Sequence, residues 1–167
     1  MVDGVINVLF LCTHNSARSV MAEAILTMFG AGRFKGFSAG SFPSGKPNPF
    51  AVEQAVAVGY PLANIRSKSW DEFGADATPK MHIIITVCDN AANEVCPIWP
   101  GHPATMHWSF VDPSTQGSND AVRRAAFGAT FQLIKAQLMQ LIAMNDAELA
   151  APNLAEKLAA IAPKVAS

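Results

Sequence analysis

The stretch Ile6-Asn7-Val8-Leu9-Phe10-Leu11-Cys12-Thr13-His14-Asn15-Ser16-Ala17-Arg18-Ser19 decides how the rest of the chain is read. Ile6 to Leu11 is almost continuously apolar, the pattern of a strand buried on both faces of a sheet. From about Arg18 to Phe29 the apolar residues Val20, Met21, Ala24, Ile25 and Met28 recur at helical spacing, so a helix follows. Only small and polar residues lie between. A strand, a short loop and a helix start in that order leave the unpaired N–H groups of a first helical turn where an anion can sit.

The loop side chains fit the same purpose. Arg18 offers a planar fork of charged donors matched to two oxygens of a phosphate-like group. Helix N-terminus and guanidinium both favour the ionised thiol, so Cys12 is expected as a thiolate with a pKa below the unperturbed ~8.5. Ser19 can donate to that sulfur, and Asn15 suits a left-handed backbone angle. Thr13, His14, Ser16 and Ala17 complete the cradle, with His14 read as bonding to backbone rather than acting as a base. The competing view, a structural cysteine with Arg18 on a solvated helix face, leaves the loop composition unexplained.

A chain of 167 residues forms one domain and has a sizeable core to bury. With 15% charged residues, a net charge of -1 and no basic stripe, it lacks the electrostatic footprint of a nucleic-acid binder. Its apolar runs are too short to span a membrane and its start does not read as a signal peptide, so a cytoplasmic protein is expected. Three cysteines, an odd number, argue against a secreted disulfide framework and leave reactive thiols.

Beyond the first helix, Phe34 to Ala39 reads as a strand and Gly40 to Pro49 as a turn-rich loop. A helix marked by Ala51, Val52, Ala55 and Val56 ends near Gly59. A short helix is expected over Ser69 to Phe73, strands over Met81 to Val87 and Met106 to Phe110, and His82 as a satisfied strand histidine. Phe127, Phe131, Ile134, Leu138 and Leu141 mark a long helix capped by Asn119 or Ser118. Strands alternating with helices predict an α/β fold, a single domain with a four-stranded parallel sheet and helices on both faces. Ligands then bind at the carboxyl ends of the strands, and Cys12, Cys88 and Asp112 all fall at that edge.

Cys88 and Cys96 are too far apart for a zinc pair, and neither a metal site nor a cofactor is assigned, although His102 and His107 follow. A redox role fits better: Cys88, on a polar loop leaving a strand, can reach Cys12 and later Cys96. Pro113 restricts Asp112 to extended backbone, which aims its carboxyl group and makes it the candidate general acid.

Cys12 to Ser19, the Ser38-Ala39-Gly40 turn, the Pro47-Asn48-Pro49-Ala51 region and Asp112-Pro113 together resemble the low-molecular-weight protein tyrosine phosphatase superfamily. Val87-Cys88 through Cys96-Pro97, His107-Trp108 and Asp112-Pro113 are similar to its thioredoxin-coupled arsenate reductases. The resemblance implies a flavodoxin-like catalytic domain over residues 1–145, with residues 146–167 as a helical appendage or tail. It implies Cys12 as nucleophile, Arg18 and the loop amides as oxyanion binders, Asn15 and Ser19 as supports and Asp112 as acid. It also implies a disulfide cascade from Cys12 through Cys88 to Cys96 that ends on thioredoxin, with arsenate as substrate and phosphate or sulfate as mimics. A glutathione and glutaredoxin route is the alternative donor. Some members hold potassium through an asparagine, a glutamate, a serine and an aspartate; Asn15, Glu23 and Ser38 match, and Ser69 stands at the aspartate position.

Two other functions use the same residues. A phosphotyrosine phosphatase would form a phosphocysteine on the same cradle, but Ser114 and Thr115 follow Asp112-Pro113 where such enzymes carry tyrosines. A non-catalytic metalloid or redox sensor would use the three thiols without turnover.

Overall fold

A computed structural model describes residues 4–73, 80–87, 103–115 and 117–162. Four strands, β1 (Ile6–Leu11), β2 (Phe34–Ala39), β3 (Ile83–Thr86) and β4 (Ala104–His107), form one parallel sheet in the order β2-β1-β3-β4. The chain leaves β1 through α1 (Arg18–Phe29) to β2 on one side, and returns to β3 on the other. The loop after β1 therefore opens at the reversal of strand order, where ligands of such sheets bind.

The period-two alternation of β1 explains why it is apolar throughout. Val8 and Phe10 belong to one core cluster with residues of α1, of a long helix α3 (Asp120–Ile142) and of α5 (Leu154–Ala160); Leu9 and Leu11 join Ala39, Met81 and Ile84 on the opposite face. Trp70 and Phe73, the ends of a 3-10 helix, cover that second face. Between β2 and this turn, α2 (Pro49–Ala57) packs on α1 through Ala24 and Ala55. Asn48 caps α2 by accepting from Phe50 N–H, with Pro49 at the first helical position, so α2 begins two residues before its apolar marks. Asn119 caps α3 in the same way, accepting from Val122 N–H at 2.9 Å.

The strand ends are in register. Leu11 pairs with Ala39 and with Thr86, and Thr86 with His107, so the segments beyond them leave from one edge. β4 starts two residues and ends three residues earlier than its apolar pattern predicts. Trp108 N–H makes a last bond to Thr86 C=O, and its buried indole then donates to Leu158 C=O of α5. Trp108 and Phe110 are apolar because they pack against the helical layer, not because they lie in the sheet. A short helix α4 (Asp146–Leu149), closed by an Asn145/Glu148 capping box, precedes α5, and Leu149, Leu154 and Leu158 join the main core.

Candidate active site

The loop from Cys12 to Arg18 is shaped from outside by the segment that follows β2. Phe42 N–H donates to Thr13 C=O, Ser44 N–H to His14 C=O and Asn48 N–H to Ser16 C=O, at 2.9, 3.0 and 2.9 Å. A trans peptide points each carbonyl opposite to the next N–H. These tethers therefore turn the amides of His14, Asn15 and Ala17 away from the tethering segment and into the cradle, the arrangement that receives an oxyanion. Prolines 43 and 47 fall between the donors and Pro49 follows the last of them, at positions that supply no tether.

Asn15 takes the left-handed backbone (φ 46°) that lets the loop turn. It is fully buried: its amide donates to Ser19 Oγ at 2.9 Å, and its Oδ1 accepts Lys68 N–H at 2.9 Å. Because Ser19 Oγ already accepts, its own proton is directed to another acceptor, which a bond to the Cys12 sulfur requires. Gly40 backs the loop so closely that a Cβ there would stand 2.4 Å from Thr13 O and 2.6 Å from Cys12 O. His14 Nδ1 lies 3.1 Å from Phe42 O; a carbonyl only accepts, so that nitrogen carries the proton and His14 serves the loop wall.

Arg18 opens α1 beside buried Cys12. Its Nη1 donates to Phe110 C=O at 2.8 Å, Nη2 lies 3.6 Å from Asp112 Oδ2, and its buried Nε meets no acceptor among the described residues. A guanidinium held by one edge with an unsatisfied donor on another is set for a two-point grip on a tetrahedral anion. Asp112 is aimed by Ser114, whose N–H and Oγ both donate to Oδ1, at 2.9 and 2.7 Å. The structure thus brings Cys12, Arg18 and Asp112 to one edge of the sheet. Cys88 and Cys96 lie outside the described residues, as does His102; Val87, which precedes Cys88, donates its N–H to Leu11 C=O beside Cys12. His82, just before β3, accepts Asn7 N–H on Nδ1, and His107 Nδ1 lies 2.7 Å from Thr86 Oγ1.

A buried cluster lies next to the loop, in which sequence reading names Glu23 and Ser38 but misses Lys68 and Tyr60. Lys68 Nζ lies 3.4 Å from Glu23 Oε1, 3.5 Å from Ser38 Oγ and 3.2 Å from Arg66 C=O. Glu23 also accepts from Ser38 Oγ at 2.7 Å and from Tyr60 OH. Burial pushes the Lys68 ammonium below the usual lysine range against the attraction of Glu23. Burial, reinforced by the Glu23 carboxylate, holds the Tyr60 hydroxyl well above the usual tyrosine range. A resident potassium ion does not fit here: an ammonium already lies against Glu23 and Ser38, and Asn15 Oδ1 is taken by Lys68 N–H. Spacing alone gives no sign of this, because Lys68 reaches the loop through contacts between segments distant in sequence, among them the parallel bridge between Gly40 and Ser69.

Among the described residues no cluster of three His, Cys, Asp or Glu could hold a metal, and no helix is long and apolar enough to cross a membrane. Residues 7–153 match the family model for low molecular weight phosphotyrosine protein phosphatases. The chain is 37% identical over 112 residues to an arsenate reductase of Bacillus subtilis, covering 66% of this chain and 77% of the relative. It is 39% identical over 105 residues to one from Brevibacillus brevis, covering 63% and 75%. Among solved structures, an arsenate reductase in the phosphate binding state superposes with a TM-score of 0.66 at 27% identity, covering 83% of this chain and 98% of that one. An arsenate reductase in the oxidized state does so at 0.64 and 27%, covering 82% and 96%. The tethered loop, its arginine and these matches together mean that the chain belongs to the low molecular weight phosphotyrosine protein phosphatase family.

Proposed function

We propose that this chain reduces arsenate to arsenite, with Cys12 as nucleophile and with Cys88 and Cys96 relaying oxidation to thioredoxin. The observation that carries the reading is the cradle itself: three outward-tethered carbonyls, an arginine with a buried donor that meets no acceptor among the described residues, and an aimed carboxyl group around one cysteine. The arsenate reductases among its relatives support the choice of oxyanion.

Arsenate enters the cradle, where phosphate or sulfate can stand in for it. The Cys12 thiolate displaces one oxygen, forming an S–As bond as an As–O bond breaks, and Asp112 gives that oxygen the proton with which it leaves as water. Arg18 and the amides around residues 13–19 stabilise charge on the remaining oxygens. The Cys88 thiolate then attacks the Cys12 sulfur. An S–S bond forms, the S–As bond breaks and its electron pair stays on arsenic, which departs as arsenite. The Cys96 thiolate attacks the Cys88 sulfur and frees Cys12, and the dithiol of thioredoxin reduces the Cys88–Cys96 disulfide. Such a relay rests in the reduced state, which suits the cytoplasm.

The test is arsenate-dependent oxidation of NADPH through thioredoxin reductase and thioredoxin, run beside glutathione with glutaredoxin. Arsenate should drive oxidation with thioredoxin, and Cys12→Ser, Cys88→Ser and Cys96→Ser should each stop cycling, at different steps. Sustained turnover by Cys88→Ser with thioredoxin would refute the relay. Efficient phosphotyrosine hydrolysis without arsenate turnover would hand the site to the phosphatase reading.

A further inference from the structure

The anion loop leans on residues 66–68. Ser67 Oγ donates to His14 C=O at 2.9 Å, Lys68 N–H donates to Asn15 Oδ1 at 2.9 Å, and Gly40 N–H, from the glycine behind the loop, donates to Lys68 C=O at 2.9 Å. One side chain anchors this segment to the core. The Lys68 side chain is 6% exposed and its ammonium is enclosed by a carboxylate, a hydroxyl and a carbonyl, those of Glu23, Ser38 and Arg66. Glu23 belongs to α1, whose first turn carries Arg18 and Ser19. The ion pair therefore ties the helix that begins the cradle to the segment that props it.

We propose that the Lys68 ammonium is a covalently attached cation that fixes the anion loop in place of a bound monovalent ion, which makes Lys68 a positioning residue for oxyanion binding. The proposal rests on the reading of residues 12–18 as an anion loop. Removing one member of a buried pair leaves the other charge uncompensated, so a neutral residue at 68 loosens the segment from the core. Ser67 and the Lys68 amide then release His14 and Asn15, and the amides facing the anion lose their fixed directions. A guanidinium at 68 keeps the charge. The adjoining cleft of about 400 Å³, whose lining includes Glu23, Tyr60, Arg66 and Glu72, gives it room.

Sulfate binding measured by calorimetry in a Cys12→Ser background tests this, because sulfate does not titrate and the thiol is absent. Buffers of equal ionic strength carry either potassium or tetramethylammonium. The parent should bind sulfate equally in both, Lys68→Met about tenfold more weakly, and Lys68→Arg within about threefold of the parent. The proposal is overturned if Lys68→Met binds as tightly as the parent, if Lys68→Arg loses as much as Lys68→Met, or if potassium tightens binding by the parent several-fold. Should Lys68→Met fail to fold, the potassium comparison and Lys68→Arg decide alone. A parent that binds no sulfate in either buffer overturns the anion-loop reading, and this proposal with it.

Discussion

Alanine at position 40 puts a methyl group into the back of the anion loop. Its Cβ would stand 2.4 Å from Thr13 O, 2.6 Å from Cys12 O and 3.0 Å from Asn15 N. All three are backbone atoms, so no flexible side chain can swing aside. To restore even a tight contact of 3.0 Å, residue 40 and the loop must separate by at least about 0.6 Å. Cys12 N–H to Ala39 C=O and Phe42 N–H to Thr13 C=O pin the loop on either side of Gly40, so the shift falls on the loop amides to which the proposal assigns the anion. Overpacking of this kind costs about 1–3 kcal/mol of stability. A misplacement on the order of 1 Å costs about 10²-fold in catalysis, so the smaller shift here should lower phosphate affinity and arsenate turnover about 10- to 100-fold. Gly32→Ala is the control: its φ of 78° strains an alanine, but nothing lies within 4 Å of the new Cβ. That variant should lose about 1–2 kcal/mol of stability and keep its phosphate affinity. Phosphate calorimetry, denaturant midpoints and turnover measure all three quantities. The reasoning fails if Gly40→Ala binds phosphate like the parent, or if both variants lose affinity equally.

Arg18→Lys keeps a charge but loses the fork that joins Phe110 C=O to the anion, so kcat/KM for arsenate should fall about 10²- to 10³-fold; a drop below about fivefold would contradict the two-point grip. Tyr60 is the single tyrosine, so ultraviolet absorbance of tyrosinate reports on it alone. Its raised pKa should keep it neutral in the folded protein past the pH near 10 at which an unfolded tyrosine ionises. The sign follows: its contribution to stability is complete below the unfolded pKa and is lost as pH rises through the folded one. Glu23→Gln should bring ionisation to lower pH, and an unmoved titration would argue against the Glu23 contact. Leu158→Ala empties a fully buried site in the main core cluster and should cost about 2–5 kcal/mol by denaturant titration.

How far the sequence carries depends on whether a residue's surroundings are local. The spans of β1, α1 and β2 are legible because their apolar residues contact neighbouring elements along their whole length. β4 is misjudged by two residues at its start and three at its end because Trp108 and Phe110 imitate a strand while packing in the main core cluster with residues of α3 and α5. The placement of Cys12, Asn15 and Arg18 on one loop is readable because strand, turn and helix start are contiguous. The tethers from Phe42, Ser44 and Asn48 are not readable, since a main-chain donor leaves no mark on residue type. Lys68 is hidden for a related reason: a lysine normally signals a solvated surface, and only the folded chain reveals a partner 45 positions away.

The tethers from Phe42, Ser44 and Asn48 are peptide hydrogens, to which the identity of the donating residue is almost irrelevant. Drift at Phe42 or Ser44, both exposed, can thus repaint the outer wall of the loop, making it greasier, more acidic or bulkier, while the turn it holds stays as it was. Proline is the one natural replacement that cannot comply. Surface character and loop shape are consequently separable traits in this molecule, open to independent adjustment by selection or by an engineer.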